Sequence, residues 1–188
     1  MARRSLFILL GLSLIAAMEG PLAPLARIAS NDPELARLNG VLSLGGVPLT
    51  ALVEERDGSG KLVSLTPYVD GRRHGTVHRW FPDGQLHSSR RYAEGNKDGL
   101  QLGYWPNGTL RFRYLAAEGL YDGTYESWHA NGQLGERRYF EDGRETGPQQ
   151  TWDPGGQILS NYVVKDGRRY GLLDAKPCFT VTEGDVER

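Results

Sequence analysis

Cysteine is all but missing from this chain of 188 residues: Cys178 stands alone near the C-terminus. A single thiol cannot close an internal disulfide, so the fold must hold by packing. A lipoprotein signal is excluded too, since it needs a cysteine directly after the N-terminal apolar segment. Cys178 reads as a small buried hydrophobe, with pairing to a partner protein as the alternative. An excess of either charge is also lacking. Lys and Arg number 22 against 23 Asp and Glu, for a net charge of −1, so no overall field draws the protein to nucleic acid.

Long apolar runs are absent but for one. SLFILLGLSLIAA spans 5–17 behind Arg3 and Arg4, and it falls short of the roughly 20 residues a membrane-spanning helix needs. With small residues at Ala16 and Ala17 it predicts a signal peptide over 1–17 and export to the periplasm or cell envelope. Removing 1–17 leaves 20 basic against 23 acidic side chains, a net −3. The alternative is a signal anchor, residues 5–18 staying uncleaved in the inner membrane.

Catalytic signatures are missing as well. There is no P-loop, nucleophile elbow or dinucleotide fingerprint, and Ser88-Ser89 has no base at a readable spacing. The expectation is a protein that is not an enzyme and takes no cofactor. His74, His78, His87 and His129 complete no recognisable metal set. Acids at 70, 94, 118, 142 and 166 offer too few oxygens per loop for calcium, with Arg72, Arg73, Lys97, Arg144, Arg168 and Arg169 close behind. No metal is expected.

Glycine, by contrast, is abundant at 25 residues, about twice the usual share, and it is placed at a fixed interval. WFPDGQL at 80–86 returns as YWPNGTL at 104–110, WHANGQL at 128–134 and WDPGGQI at 152–158, always 24 residues on. The blocks are 76–99, 100–123, 124–147 and 148–171, with a degenerate copy at 52–75. Trp80 aligns with Tyr104, Trp128 and Trp152, with Trp105 beside this column. Leu86 aligns with Leu110, Leu134 and Ile158. Gly84, Gly108, Gly132 and Gly156 mark one turn; Gly95, Gly119, Gly143 and Gly167, each behind an acid, mark a second. A third glycine column runs through 75, 99, 123, 147 and 171.

Fixed-period self-similarity is the signature of a repeat architecture. Pro-Asp-Gly, Pro-Asn-Gly and Ala-Asn-Gly read as tight hairpin turns whose Asn, Asp and Gly accept positive φ, and the acid–glycine turn reads as a looser one. The runs between turns have strand length. The chain is therefore expected to be all-β: a single-layer antiparallel meander of stacked β-hairpins in 24-residue repeats, about ten strands in all. Alternation puts Leu110, Phe112, Tyr114 and Ala116 on the more apolar face and Arg111, Arg113 and Leu115 on the other. The tryptophan and leucine columns are expected to stack one repeat on the next.

The organisation read from these signals is a signal peptide at 1–17, an N-terminal segment at 18–39, a repeat domain at 40–171, and a C-terminal cap and tail at 172–188. NDPELARL at 31–38 predicts a short helix, with an acid cap and Pro at the first helical position. GVLSLGGVPL at 40–49 predicts an opening hairpin that caps the array.

These blocks resemble the MORN-repeat variant family, and more narrowly the bacterial YwqK-type antitoxin-like proteins. The likeness rests on WFPDGQL…YAEGNKDG, YWPNGTL…EGLYDG, WHANGQL…YFEDGRETG and WDPGGQI…DGRRYG, and covers about residues 47–171. It implies a curved sheet of hairpins serving as an interaction surface, without catalytic residues, and neutralisation of a toxin partner. MORN repeats are also credited with lipid contact and scaffolding. Arg90, Arg91, Arg111, Arg113, Arg137 and Arg138 cluster on the strands after the first turns. Arg and aromatic residues are enriched at protein interfaces, so Arg91, Arg111, Arg113, Arg137 and Tyr139 are the candidate contacts for a protein partner. Membrane-surface attachment and self-association are the alternatives; nucleic acid is not expected.

Overall fold

A computed structural model of the chain describes residues 25–173. The expected signal peptide, Cys178 and all but the first two residues of 172–188 lie outside them. The described residues form sixteen β-strands and no helix. Thirteen strands make one sheet. From Leu62–Val69 to Arg168–Leu172 its main strands follow one another antiparallel in chain order, as the repeat predicts. One edge departs from the meander: Arg27–Ala29 pairs in parallel with Ala51–Arg56. Glu54 clasps that junction, pairing with Arg27 and, at 2.7 Å, with Arg56.

Those two partners, Arg56 first and then Arg27, hold the Glu54 carboxyl below its ordinary value of 4.5. A depressed carboxyl contributes stability above its unfolded value and loses it as pH falls through the folded one. Acidification below pH 4.5 should therefore loosen Arg27–Ala29 first. Amide exchange at Ile28 and Ala29, corrected for intrinsic rates, should rise there while the central strands keep their protection.

The helix expected over 31–38 is absent. Asp32 does accept a hydrogen bond from the Glu34 N–H at 2.9 Å, and Leu35 N–H bonds Asp32 O at 3.1 Å. That arrangement closes a turn instead of starting a helix, because Leu35–Leu38 then pairs with Val41–Leu44. With Val47–Pro48 these strands form a separate three-stranded sheet. It is tied to the large sheet through Gly71, which accepts from Leu42 N–H and donates to Leu49 O, both at 2.8 Å. Leu42, Leu49, Ala51, Val53 and Tyr68 make the core between the two sheets. The opening hairpin thus belongs to this small sheet, packed on the first block of the array.

The two turns exchange the roles read from sequence. At 81–85, 105–109, 129–133 and 153–157 the first residue donates to the fifth and accepts from the fourth. This is a type I turn closed by a glycine at positive φ, a three-residue connection. The Asn and Asp there act through their side chains. Asn107 accepts from Thr109 N–H and Asn131 from Gln133 N–H, both at 3.1 Å. The acid–glycine turn is the tighter one. Glu94, Glu118, Asp142 and Asp166 lie at φ 50, 51, 49 and 52°, each followed by a positive-φ glycine, as a two-residue type I′ turn requires. The third glycine column also has positive φ, and strand register shifts beside it, between Lys97 and Gln101 for example. A bulge of this kind bends the strand.

Both rims of the sheet carry a ladder between blocks. On one, three of the acid–glycine turns donate their glycine N–H to a carbonyl 22 residues earlier: Gly95 to Arg73, Gly119 to Lys97, Gly143 to Tyr121, at 2.8–2.9 Å. On the other, Trp105 Nε1 donates to Trp128 O at 2.8 Å, and Asn107 and Asn131 Nδ2 donate to Ala130 O and Pro154 O at 2.7 Å.

Candidate interaction surface

Strand register sets two rows of side chains back to back across the sheet. One runs Val77, Arg90, Gln101, Tyr114, Tyr125, Arg138, Gln149, Tyr162, each opposite the next. This is the buried face. Tyr114 is 6 % exposed and Gln101 fully buried; Tyr114, Tyr121, Tyr125 and Phe140 form a cluster with ring centroids 4.6–5.8 Å apart. Burial raises the Tyr121 and Tyr125 hydroxyls above their ordinary value. Gln101 and Gln149 secure the bulges: their Nε2 groups donate to Arg91 O at 2.8 Å and Tyr139 O at 2.9 Å, and again to Gly99 O and Thr146 O.

The other row runs Leu102, Arg113, Glu126, Arg137, Gln150, Asn161. Here the structure places three of the candidate contacts. Arg113 reaches Glu126 Oε2 at 2.5 Å, Arg137 reaches Glu126 Oε1 at 3.1 Å, and Tyr139 lines the same recess of about 430 Å³ with Leu100 and Leu115. The Arg113 guanidinium also lies over Trp128, and that of Arg111 over Trp105 at 4.8 Å. Arg91 lies along Gly99, where an added Cβ would meet its Cδ at 2.9 Å. Arg90 and Arg138 belong to the buried row. The positive patch is therefore smaller than the arginine count suggests, and two of its members share one carboxylate. Ion pairs to arginines this exposed are worth about 0–1 kcal/mol each; their effect is to fix the side chains in place. Glu126 escaped the sequence reading because faces were assigned only to the strands after the first turns. Its opposition to both arginines follows once the hairpins are set in register.

The stacking columns lie beside the turns. Trp80, Tyr104, Trp128 and Trp152 are register partners of Leu86, Leu110, Leu134 and Ile158 within their own hairpins, beside the turn. Among the described residues no two rings of that column pack on each other. Trp105, one position on, makes the bond to the next block. Three of the four histidines are absorbed by packing: His78 stacks on Trp80, His87 meets Phe81 edge-on, and His129 Nε2 lies 2.9 Å from Trp152 O; His74 is exposed. Burial first, then the charges of Arg111, Arg90 and Arg79, lowers the His87 pKa. Among the described residues no three His, Cys, Asp or Glu side chains are grouped to hold a metal ion.

Residues 121–142 match the MORN repeat variant family. That span runs through the strands Leu120–Trp128 and Leu134–Glu141 and the turn joining them, so the match and the hairpin coincide. No curated protein matches the chain.

Proposed function

We propose that this protein is a non-enzymatic repeat scaffold that binds another protein across the face carrying Arg111, Arg113, Arg137 and Tyr139, and that residues 1–17 direct its export. The observation that carries this reading is the Arg113–Glu126–Arg137 triad beside exposed Leu100 and Leu115. Arginines held in place next to open apolar side chains bind at low ordering cost. Arg91 and Arg111 make no ion pair among the described residues and add positive charge. A partner with carboxylates flanking an apolar ridge fits this face. The likeness to YwqK-type antitoxins makes a toxin polypeptide the first partner to test.

The test compares two baits in affinity capture from a cell-envelope extract: the exported protein, and its Arg91→Glu, Arg111→Glu, Leu115→Asp variant. Arg113 is spared because its loss would remove one of the two ion pairs that hold Glu126. One protein retained by the first bait and lost from the second supports the reading. Equal recovery by both removes this face from consideration. N-terminal sequencing of the exported protein completes the test: a start near residue 18 supports cleavage, and an intact Met1 indicates an anchor over 5–18.

A further inference from the structure

Thr66, Arg73, Val77, Arg79, Ser88, Arg90 and Tyr92 line a recess of about 200 Å³ on the buried face. Three guanidinium groups border it and no carboxylate does. The Arg90 Nε is buried without a hydrogen-bond partner, and none of the three arginines forms an ion pair among the described residues. Aromatic rings hold two of them, with Arg73 Cζ 5.4 Å from the centre of Tyr92 and Arg90 Cζ 5.3 Å from that of Phe112.

The same positions 48 residues later show what is missing. Thr66, Arg73, Val77 and Tyr92 correspond there to Tyr114, Tyr121, Tyr125 and Phe140, the four rings that fill the later copy of this space. Arg90 corresponds to Arg138, which is fully matched: NH2 bonds Glu136 Oε1 and NH1 bonds Glu145 Oε1, each at 3.0 Å. The residues in the places of Glu136 and Glu145 are Ser88 and Lys97. The early copy has thus lost both carboxylates and most of its aromatic filling while keeping the arginine, and it has gained Arg73 and Arg79.

We propose that this recess binds a small dianionic oxyanion, a phosphate group carried by inorganic phosphate or by a phosphomonoester. The later copy sets two carboxylates around the matching arginine, and one dianion supplies the same charge at Arg90. Guanidinium forks match phosphate oxygens bidentately, and the Ser88 and Thr66 hydroxyls add neutral donors. Partial withdrawal from water strengthens such contacts and makes the unmatched Arg90 Nε costly.

The experiment titrates the purified exported protein with inorganic phosphate by calorimetry at fixed ionic strength, with chloride as the reference. Parallel sedimentation uses phosphatidylcholine vesicles with and without phosphatidic acid, to separate a soluble phosphate from a lipid headgroup. Saturable binding in either arm is expected. It should weaken about tenfold or more in Arg90→Gln, the loss of one charge-assisted contact, and stay unchanged in Arg168→Gln, exposed on the last strand. A second variant, Ser88→Glu with Lys97→Glu, rebuilds the carboxylate pair of the later copy. It should fold, show a thermal midpoint independent of phosphate, and bind none. No saturable binding in either arm, or binding that the Arg90 and Ser88/Lys97 variants retain, would overturn the proposal.

Discussion

Gly71→Ala is expected to uncouple the small sheet from the repeat array and to cost about 3 kcal/mol or more. Gly71 has φ +74°, where a side chain costs about 1–2 kcal/mol. Its added Cβ would also lie 2.4 Å from Val41 Cγ1 and 2.5 Å from Leu42 O. A backbone oxygen cannot rotate away, so relief requires moving Val41–Leu44, which breaks the bonds from Leu42 N–H to Gly71 O and from Gly71 N–H to Leu49 O. Overpacking of this kind adds about 1–3 kcal/mol. The equivalent glycine two blocks later is an internal control. At Gly119 the nearest atom to an added Cβ is Asn96 Cβ, 3.9 Å away, so Gly119→Ala bears only the conformational cost. Urea denaturation of both variants separates the two terms. Amide exchange should show protection lost at 41–44 in the first variant alone; equal destabilisation by both would remove the steric part of the account.

Tyr114→Ala is expected to cost about 3–5 kcal/mol, the range for deleting a large buried aromatic. Total stability of an ordinary domain is about 5–15 kcal/mol, so the loss should be visible as a large fall in the denaturation midpoint. Tyr114 touches Phe112, Tyr121 and Tyr125, and Lys97 Nζ lies 5.8 Å from its ring centre. Through those rings it joins two successive blocks, and in a repeat array coupling between neighbours is a large part of stability. Leu115→Ala, one residue along and on the open face, should change stability by no more than about 0.5 kcal/mol. Tyr114→Phe should also be mild, because the hydroxyl makes no hydrogen bond among the described residues. A mild effect of Tyr114→Ala would mean that the cluster fills space without coupling the blocks.

The hairpins, their order and their two faces were legible from residues alone because each signal recurred. Gly84 by itself is a turn residue; Gly84, Gly108, Gly132 and Gly156 in step fix where the strands end at one rim, and the acid–glycine pairs fix the other. Alternation then separated Tyr114 from Arg113 correctly. What stayed hidden depended on register or on geometry that composition does not encode. Glu126 became the partner of Arg113 and Arg137 only when three strands were laid side by side. The tryptophan–leucine pairing turned out to close hairpins because a three-residue turn sets those two residues opposite each other. The helix at 31–38 failed because an acid followed by proline serves a turn as well as a helix start, and four residues of Leu-Ala-Arg-Leu are too few to distinguish period 2 from 3.6. The recess at Arg90 has no motif at all; it emerges from comparing one block with the block after next.

The buried row has a further consequence. Along it Arg90, Tyr114, Arg138 and Tyr162 alternate, and so do Gln101, Tyr125 and Gln149. Chemically the protein therefore counts in pairs of hairpins, 48 residues at a time, although its turns count in 24. Homologues that differ in length should favour gaining or losing an even number of hairpins. Excising the single hairpin 100–123 would preserve the remaining turns and set Arg90 opposite Tyr125 with Arg138 directly beyond it, two arginines where the alternation places an arginine and then a tyrosine.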